Sequence, residues 1–240
     1  VANTIRTYPV SSELYQKVAS CAKKHAVTKF QVFFAAASMT VGQYCGSEDV
    51  VLGIPKNIRD EKTRNTVGMF VNMLPVRSKP VQEKSVSEYL KEISDSVKEA
   101  ASHSDCSFEM MVEALCTEKD SSHHPIFDVS LNMLNMKSHH VVGDIEMKMT
   151  IDQQVLGTDL QIYIEHGESD SKVMIQYSSE LFDQMVIDNF AEQFFSVLEK
   201  ITEEADLTIR QALELPEAQK QVLAQFNETE QDYEKTDIVT

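Results

Sequence analysis

Apolar positions recur along this chain in two rhythms, one of about 3.6 residues and one of two. Leu14, Val18, Cys21 and Ala22 follow the first, with Ser12 placed to cap a helix that breaks at His25-Ala26-Val27. Thr28 caps a second helix running through about Tyr44. That segment is apolar almost all round (Phe30, Val32, Phe33, Phe34, Ala35 to Ala37, Met39), which predicts a central position. Asp49 to Pro55 reads as a short buried strand closed by its proline, residues 56–66 as a charged loop, and Phe70 to Arg77 as another extended segment. Ser85 or Ser87 starts a helix with Tyr89, Leu90, Ile93 and Val97 on one face, and a shorter one covers Phe108 to Leu115.

The two-residue rhythm dominates the later part. Phe127 to Asn135 is strand-like, and Ile145, Met147, Met149 and Ile151 alternate with polar neighbours. Leu160, Ile162 and Ile164 repeat the pattern, as do Val173, Ile175 and Tyr177, with His166 to Asp170 as a hairpin loop between them. Asp183 caps an amphipathic helix whose inner stripe is Val186, Ile187, Phe190, Phe194, Val197, Leu198 and Ile201. Beyond Glu203 the pattern thins to one helix around Gln219 to Phe226 and a polar, acidic tail, the form of a domain exit. There is no internal repeat. Helices mixed with strands, then a run of strands, predict an α+β fold in which a mixed β-sheet packs against α-helices.

Composition narrows the partners. The 240 residues carry 22 Lys+Arg against 38 Asp+Glu, a formal charge of −16, and residues 121–240 hold the whole excess. Such a field repels nucleic-acid phosphates and anionic lipid, so neither is an expected partner. The longest uncharged stretch, Phe30 to Ser47, holds too many polar residues for a membrane span and suits a buried helix. Four cysteines without a CxxC pair, and no signal peptide, predict a reducing, cytoplasmic setting. The chain begins at Val1 without an initiator Met, as an excised fragment would.

Familiar catalytic motifs are scarce. His123-His124-Pro125-Ile126-Phe127-Asp128 has the form HHxxxD, in which the second His of acyltransferases is a general base. Val129 follows where those enzymes place Gly, so the segment reads better as a loop entering a strand. The pairs His123-His124 and His139-His140 place neighbouring side chains on opposite faces of extended chain, a poor chelate, and no metal is expected. No P-loop, dinucleotide fingerprint or nucleophile elbow appears.

The succession of segments is more telling. Thr28-Lys-Phe-Gln-Val-Phe-Phe-Ala-Ala-Ala, then Gly46-Ser-Glu-Asp-Val-Val-Leu-Gly-Ile-Pro and Arg59, resembles the C-terminal half of nonribosomal peptide synthetase condensation domains. Val67-Gly68-Met69-Phe70-Val71-Asn72-Met73-Leu74 through Arg77 is similar to their (I/V)GxFVNTLxxR motif, with Met73 in place of Thr. His103-Ser104-Asp105-Cys106-Ser107-Phe108-Glu109 resembles HQDxPFE, departing at Ser104 and Ser107. Lys119 to Phe127 resembles RDxSRNPLF, departing at Lys119, His123 and His124, so the apparent HHxxxD falls inside a different motif. Thr158-Asp159-Leu160, Tyr177 through Asp183, and Asn227 to Tyr233, similar to the NxTxxDY stretch before an adenylation domain, extend the likeness over nearly the whole chain.

The HHxxxDG and RHExLRT motifs of the family's N-terminal lobe are not found. The resemblance therefore implies a chloramphenicol-acetyltransferase-like C-terminal lobe over residues 1–206 and an exit linker over 207–240. It implies one wall of the tunnel in which an acceptor amine attacks a donor thioester. It supplies no catalytic residue and binds no cofactor directly, the phosphopantetheine thioesters being presented by carrier domains. Expected partners are the N-terminal lobe, upstream and downstream carrier domains and an adenylation domain, with self-association through the exposed lobe interface. Arg59, Asn72 and Asn135 match polar family positions that can face the tunnel, against plainer roles in an ion pair or in strand backbone, while Gly68, Phe70, Arg77 and Asp159 are expected to fix structure. An epimerising relative, a non-catalytic carrier-docking module and a standalone acyltransferase are the alternatives.

Overall fold

In the computed structural model, residues 3–115, 124–134, 139–142, 145–148, 157–167, 171–203 and 207–228 are described. Strand β1 (Asn3–Val10) is followed by α1 (Ser12–Lys24), α2 (Lys29–Cys45), β2 (Val50–Asn57), β3 (Val71–Ser78), α3 (Val86–Ser102) and α4 (Phe108–Leu115). Strands β4 (Val129–Leu134), β5 (His139–Val142), β6 (Ile145–Lys148), β7 (Leu160–His166) and β8 (Ser171–Ser178) come next. Helices α5 (Gln184–Glu203), α6 (Ile209–Ala212) and α7 (Glu217–Asn227) complete the described chain. Six strands form one mixed sheet in the order β1-β8-β7-β4-β2-β3, and β5 and β6 pair separately. The β4–β7 and β2–β4 pairs are parallel and the others antiparallel. This is the α+β arrangement expected.

Helix α2 is the hub. Gln31 through Gly42 are all buried, and the helix touches α1, α3, α5, β2 and β4. Thr28 and Gln31 form a reciprocal capping box at its start, and Gly46 ends it at φ 60° with its N–H on the Gln43 carbonyl. Its few polar atoms are satisfied inside: Ser38 Oγ meets the buried Tyr89 hydroxyl at 2.7 Å, and Thr40 Oγ1 donates to the Ala36 carbonyl.

Two boundaries differ from expectation by one residue or by their cause. The cap of α1 is Ser11, whose side chain accepts from the Leu14 N–H, because Ser12 already has helical backbone. Pro55 does not close β2, which runs on to Asn57 against β3. It closes the other ladder. The parallel β2–β4 pairing covers only Leu52↔Val129 and Gly53↔Ser130. Ile58 donates to the Phe70 carbonyl, so antiparallel alternation turns the N–H and C=O groups of Val51, Gly53, Pro55 and Asn57 toward β4. The next rung would need an N–H from residue 55 to the Leu131 carbonyl, and proline has none to give. Past that point the sheet splits.

Two elements carried no sequence signal that outweighed their surroundings. Edge strand β1 holds Pro9, tolerated where the sheet ends, and pairs with β8 from Asn3↔Ser178 to Val10↔Ser171. Residues 207–213, read from sequence as the beginning of the linker, are built into the body: Ile209 and Ala212 are fully buried, and Val86 donates to the Leu207 carbonyl at 2.8 Å. Gln43 and Gln193 both donate to the Leu213 carbonyl, fastening α6 beside α2 and α5.

β1 is also tied to α5. The Tyr8 hydroxyl donates to Asp188 Oδ1 at 2.6 Å, Arg6 donates through Nε and Nη2, and Gln184 Nε2 reaches Oδ2. The Tyr8 hydrogen bond, helped by Gln184 and Arg6, holds the Asp188 carboxyl below its ordinary value. A depressed carboxylate stabilises the fold above the unfolded-state value of about 4, and that contribution is lost as pH falls through the folded value. Urea midpoints of the parent should therefore drop more steeply below about pH 4 than those of Asp188→Asn, and parallel curves would remove this tether from the acid response.

Candidate functional site

The motif residues gather where β2 leaves β4. At the closed end of the split, the Phe127 ring rests directly on Gly53: a Cβ built there would lie 2.1 Å from Phe127 Cε2. Phe127 is buried, and behind it His124 stacks at 4.2 Å between ring centroids, with Phe108 at 5.1 Å from His124 and 5.7 Å from Phe127. His124 Nδ1 accepts the Phe127 N–H at 3.3 Å, which leaves the neutral ring's proton on Nε2. Burial holds its pKa below the usual imidazole value, against an opposing pull from Asp128 and Asp159. A neutral His124 with its acceptor nitrogen already used and its ring in a mutual cluster with Phe108 and Phe127 is scaffold. His123 lies outside the described residues.

At the open end lies the loop of residues 58–70, and Arg59 organises it. Its Nη1 donates to the Thr63 and Thr66 carbonyls, both at 2.6 Å, its Nη2 to the Gly68 carbonyl at 3.1 Å, and its guanidinium lies 4.2 Å above the Phe70 ring. Asp60 and Thr63 lock the turn with reciprocal side-chain bonds. Gly68 adopts φ 155°, a backbone that side-chain-bearing residues rarely take. This braced loop carries Val67 wholly exposed and Met69 89 % exposed, and Val71, where β3 begins, is about half exposed. Bare apolar side chains held on a rigid loop mark a surface made for contact.

Asn72 is a strut. Buried at the start of β3, its Nδ2 donates to the carbonyls of Ser104 (3.1 Å) and Cys106 (2.8 Å), and its Oδ1 accepts the Phe108 N–H (3.0 Å). It thus holds the turn after α3 and the start of α4. Arg59 and Asn72, the residues expected at the tunnel, both turn their side chains to backbone carbonyls of their own neighbourhood, which would otherwise lack donors. Asn135 lies outside the described residues. Arg77 forms a two-pronged ion pair with Asp49 (2.7 and 2.5 Å), pulling that carboxyl below its usual range and bridging β3 to the start of β2. The Asp159 carbonyl accepts the Ser178 N–H at the β7–β8 end. No cluster of three or more His, Cys, Asp or Glu suited to a metal occurs among the described residues, and no helix there is long and apolar enough to cross a membrane.

This split, braced loop and strut lie within a matched family: residues 2–224 match the condensation domain. The chain belongs to the condensation-domain family. Tyrocidine synthase 2 of Brevibacillus parabrevis is 28% identical over 235 residues, 95% of this chain and 6% of that protein. Bacitracin synthase 1 of Bacillus licheniformis is 27% identical over 93% of this chain and 4% of its own length. The chain thus spans a small part of the curated relatives it matches. A holo four-domain nonribosomal peptide synthetase bound to AMP and glycine superposes with a TM-score of 0.80 at 16% identity, covering 91% of this chain and 18% of that one. The X-domain from teicoplanin biosynthesis gives 0.78 at 20% identity, with 88% and 49% covered. The first condensation domain of the calcium-dependent antibiotic synthetase, in complex with a substrate analogue, gives 0.75 at 19%, with 87% and 47% covered. These likenesses establish the chloramphenicol-acetyltransferase-like fold of this condensation-domain chain.

What sequence reasoning missed is the split itself. Pro55 was visible, but its effect on one ladder and not the other depends on which strand lies on each side. Two substitutions test the scaffold. Asn72→Asp sets a carboxylate against two carbonyl oxygens and should cost about 3 kcal/mol, more than the roughly 2 kcal/mol of Asn72→Ala, in urea unfolding. Equal stability of both with the parent would release Asn72 from the strut role. Gly53→Ala should cost about 3 kcal/mol through overpacking, and adding Phe127→Leu should recover part of it. An unshifted midpoint for Gly53→Ala would show that the ring can move aside.

Proposed function

We propose that this chain is the C-terminal lobe of a condensation domain, forming amide bonds between carrier-borne aminoacyl or peptidyl thioesters only when joined to its N-terminal companion. One observation carries the reading. The condensation-domain folds matched here cover about nine-tenths of this chain, while it covers only 49% and 47% of the teicoplanin X-domain and the calcium-dependent antibiotic synthetase domain. The rigid apolar run Val67–Met69–Val71 is the kind of surface that a missing lobe would cover.

In this reading the chain supplies positioning. The braced loop, the Phe127–Gly53 contact and the Asn72 strut fix a wall against which an acceptor amine and a donor thioester are held, and orientation of that kind lowers the barrier by removing motion rather than by moving protons. The general base comes from the companion lobe, and the thioesters arrive on phosphopantetheine arms of upstream and downstream carrier domains. Residues 214–240 lead toward an adenylation domain, and the parent works in the cytoplasm. His124 takes no part in proton transfer, since its Nδ1 is engaged and its ring is packed.

Mixing the purified chain with its parent's N-terminal lobe and the two loaded carrier domains tests this. Amide product is expected from the pair and not from either lobe alone, and His124→Ala should stay within about threefold of the parent pair. Product from this chain alone, or loss of a hundredfold or more in a folded His124→Ala, would overturn the assignment. A saturable carrier interaction with no product from the reunited lobes would favour a docking module instead.

A further inference from the structure

At the other end of β3 from the Asn72 strut, a cleft of about 430 Å³ opens between Arg77 to Lys84 and one face of α3. Its walls carry opposite charge. Arg77, Lys79 and Lys84 stand on the strand and loop side, and Glu92, Asp95 and Glu99 on the helix side, with the buried Ile93 beneath. The carboxylates recur at spacings of three and four residues, so they share one helix face. Two of the cations are already engaged. Lys84 Nζ bonds both oxygens of Glu92, at 2.8 and 2.7 Å, and Arg77 is drawn to Asp49 outside the cleft. Lys79, Asp95 and Glu99 are exposed and enter no ion pair among the described residues. The basic wall is held still. Lys84 donates to the Val81 carbonyl and Val81 to that of Lys79, while Ile209 and Arg210 donate to the Lys84 and Gln82 carbonyls at 2.9 and 3.0 Å. The cleft is therefore preformed.

We infer that this cleft binds a short linear peptide with free termini, its ammonium against Asp95 and Glu99 and its carboxylate against Lys79. Three features select such an occupant. Charges of opposite sign left unpaired on facing walls are met together only by a ligand that carries both. A cation alone would leave Lys79 unmet, and an anion alone would face two carboxylates. The length fits as well. From Glu92 to Glu99 the helix face runs about 10 Å at ~1.5 Å per residue, which holds two or three extended residues at ~3.3 Å each and exceeds what one amino acid fills. Finally, Ile93 gives an apolar side chain a surface to rest on, and the half-buried Ser96 hydroxyl can donate to or accept from a peptide unit. An internal stretch of a folded partner brings neither terminus and would leave the same charges unmet. The inference does not depend on the function proposed above.

Glycyl-leucine titrated into the 15N-labelled 240-residue protein should shift the Lys79, Asp95, Ser96 and Glu99 amide signals together along one saturable curve. N-acetyl-glycyl-leucine and glycyl-leucinamide, each lacking one charge, should bind about fivefold more weakly, the scale of one exposed ion pair. Free leucine should also bind more weakly than the dipeptide. Asp95→Asn combined with Glu99→Gln removes the ammonium contact from the protein side and should weaken glycyl-leucine by a similar factor, while N-acetyl-glycyl-leucine loses no affinity. Glu88→Gln, which removes a charge elsewhere on α3, should leave the dipeptide unaffected. The inference is overturned by silence at the four signals, by equal affinity for the singly charged peptides, or by tighter binding of free leucine. Unchanged affinity in the double variant, or an equal loss in Glu88→Gln, would overturn it too.

Discussion

A helix without a polar face has nowhere to go but inside, and α2 imposes that constraint on everything around it. With Gln31 through Gly42 buried, no side of it is left for solvent, and five other elements must supply its surroundings. The sheet gives Leu52 and Leu131, α1 gives Val18 and Ala22, α3 gives Tyr89, Leu90 and Ile93, and α5 gives Phe190, Phe194 and Val197, all buried in the same core. Phe33 and Phe194 stack at 6.5 Å between centroids at the centre of this contact. The short α6 then closes the remaining gap, which is why residues that look like a linker are fastened by hydrogen bonds from Gln43 and Gln193.

With one face of the sheet anchored this way, the strands are free to part only where the ladder itself is interrupted. Pro55 provides the interruption on one side while leaving the antiparallel partner β3 in register to Asn57. The motif residues of the family surround this point, and most act through backbone: Asn72 and Arg59 through the carbonyls they gather, Gly53 through the ring it admits, Gly68 through its φ. Such residues shape a wall that another lobe and a substrate can use.

How far the sequence was legible follows from the range of the forces involved. Amphipathic α3, α4 and α5 and the alternating β7 and β8 announce themselves, because burial of one face is written into consecutive residues. The cap at Thr28 was readable because it is equally local, while the reciprocal bond from Gln31 emerged only in the structure. Strand β1 was not readable, since its stability comes from pairing with β8, 161–175 residues away in the chain, and from Asp188 on α5. Likewise α6 contains four residues, too few for any rhythm, and exists through its bridge to Ser85 and its burial against α5. The bracing contacts of Arg59 and Asn72 were not legible, because a polar residue in a family motif looks the same whether it faces a ligand or a carbonyl of its own loop.

The Arg59 brace has a kinetic side. A surface loop that must order itself on contact adds that ordering to the cost of every encounter and slows capture of a partner. Here the guanidinium has already gathered three carbonyls and a phenyl ring, so Val67 and Met69 stand in fixed positions before anything arrives. A body that lands on them meets a finished surface, and recognition is limited by how the two approach rather than by whether the loop has folded. Loosening that one grip on the backbone beneath the exposed side chains would change the speed of assembly while leaving the contacting atoms the same.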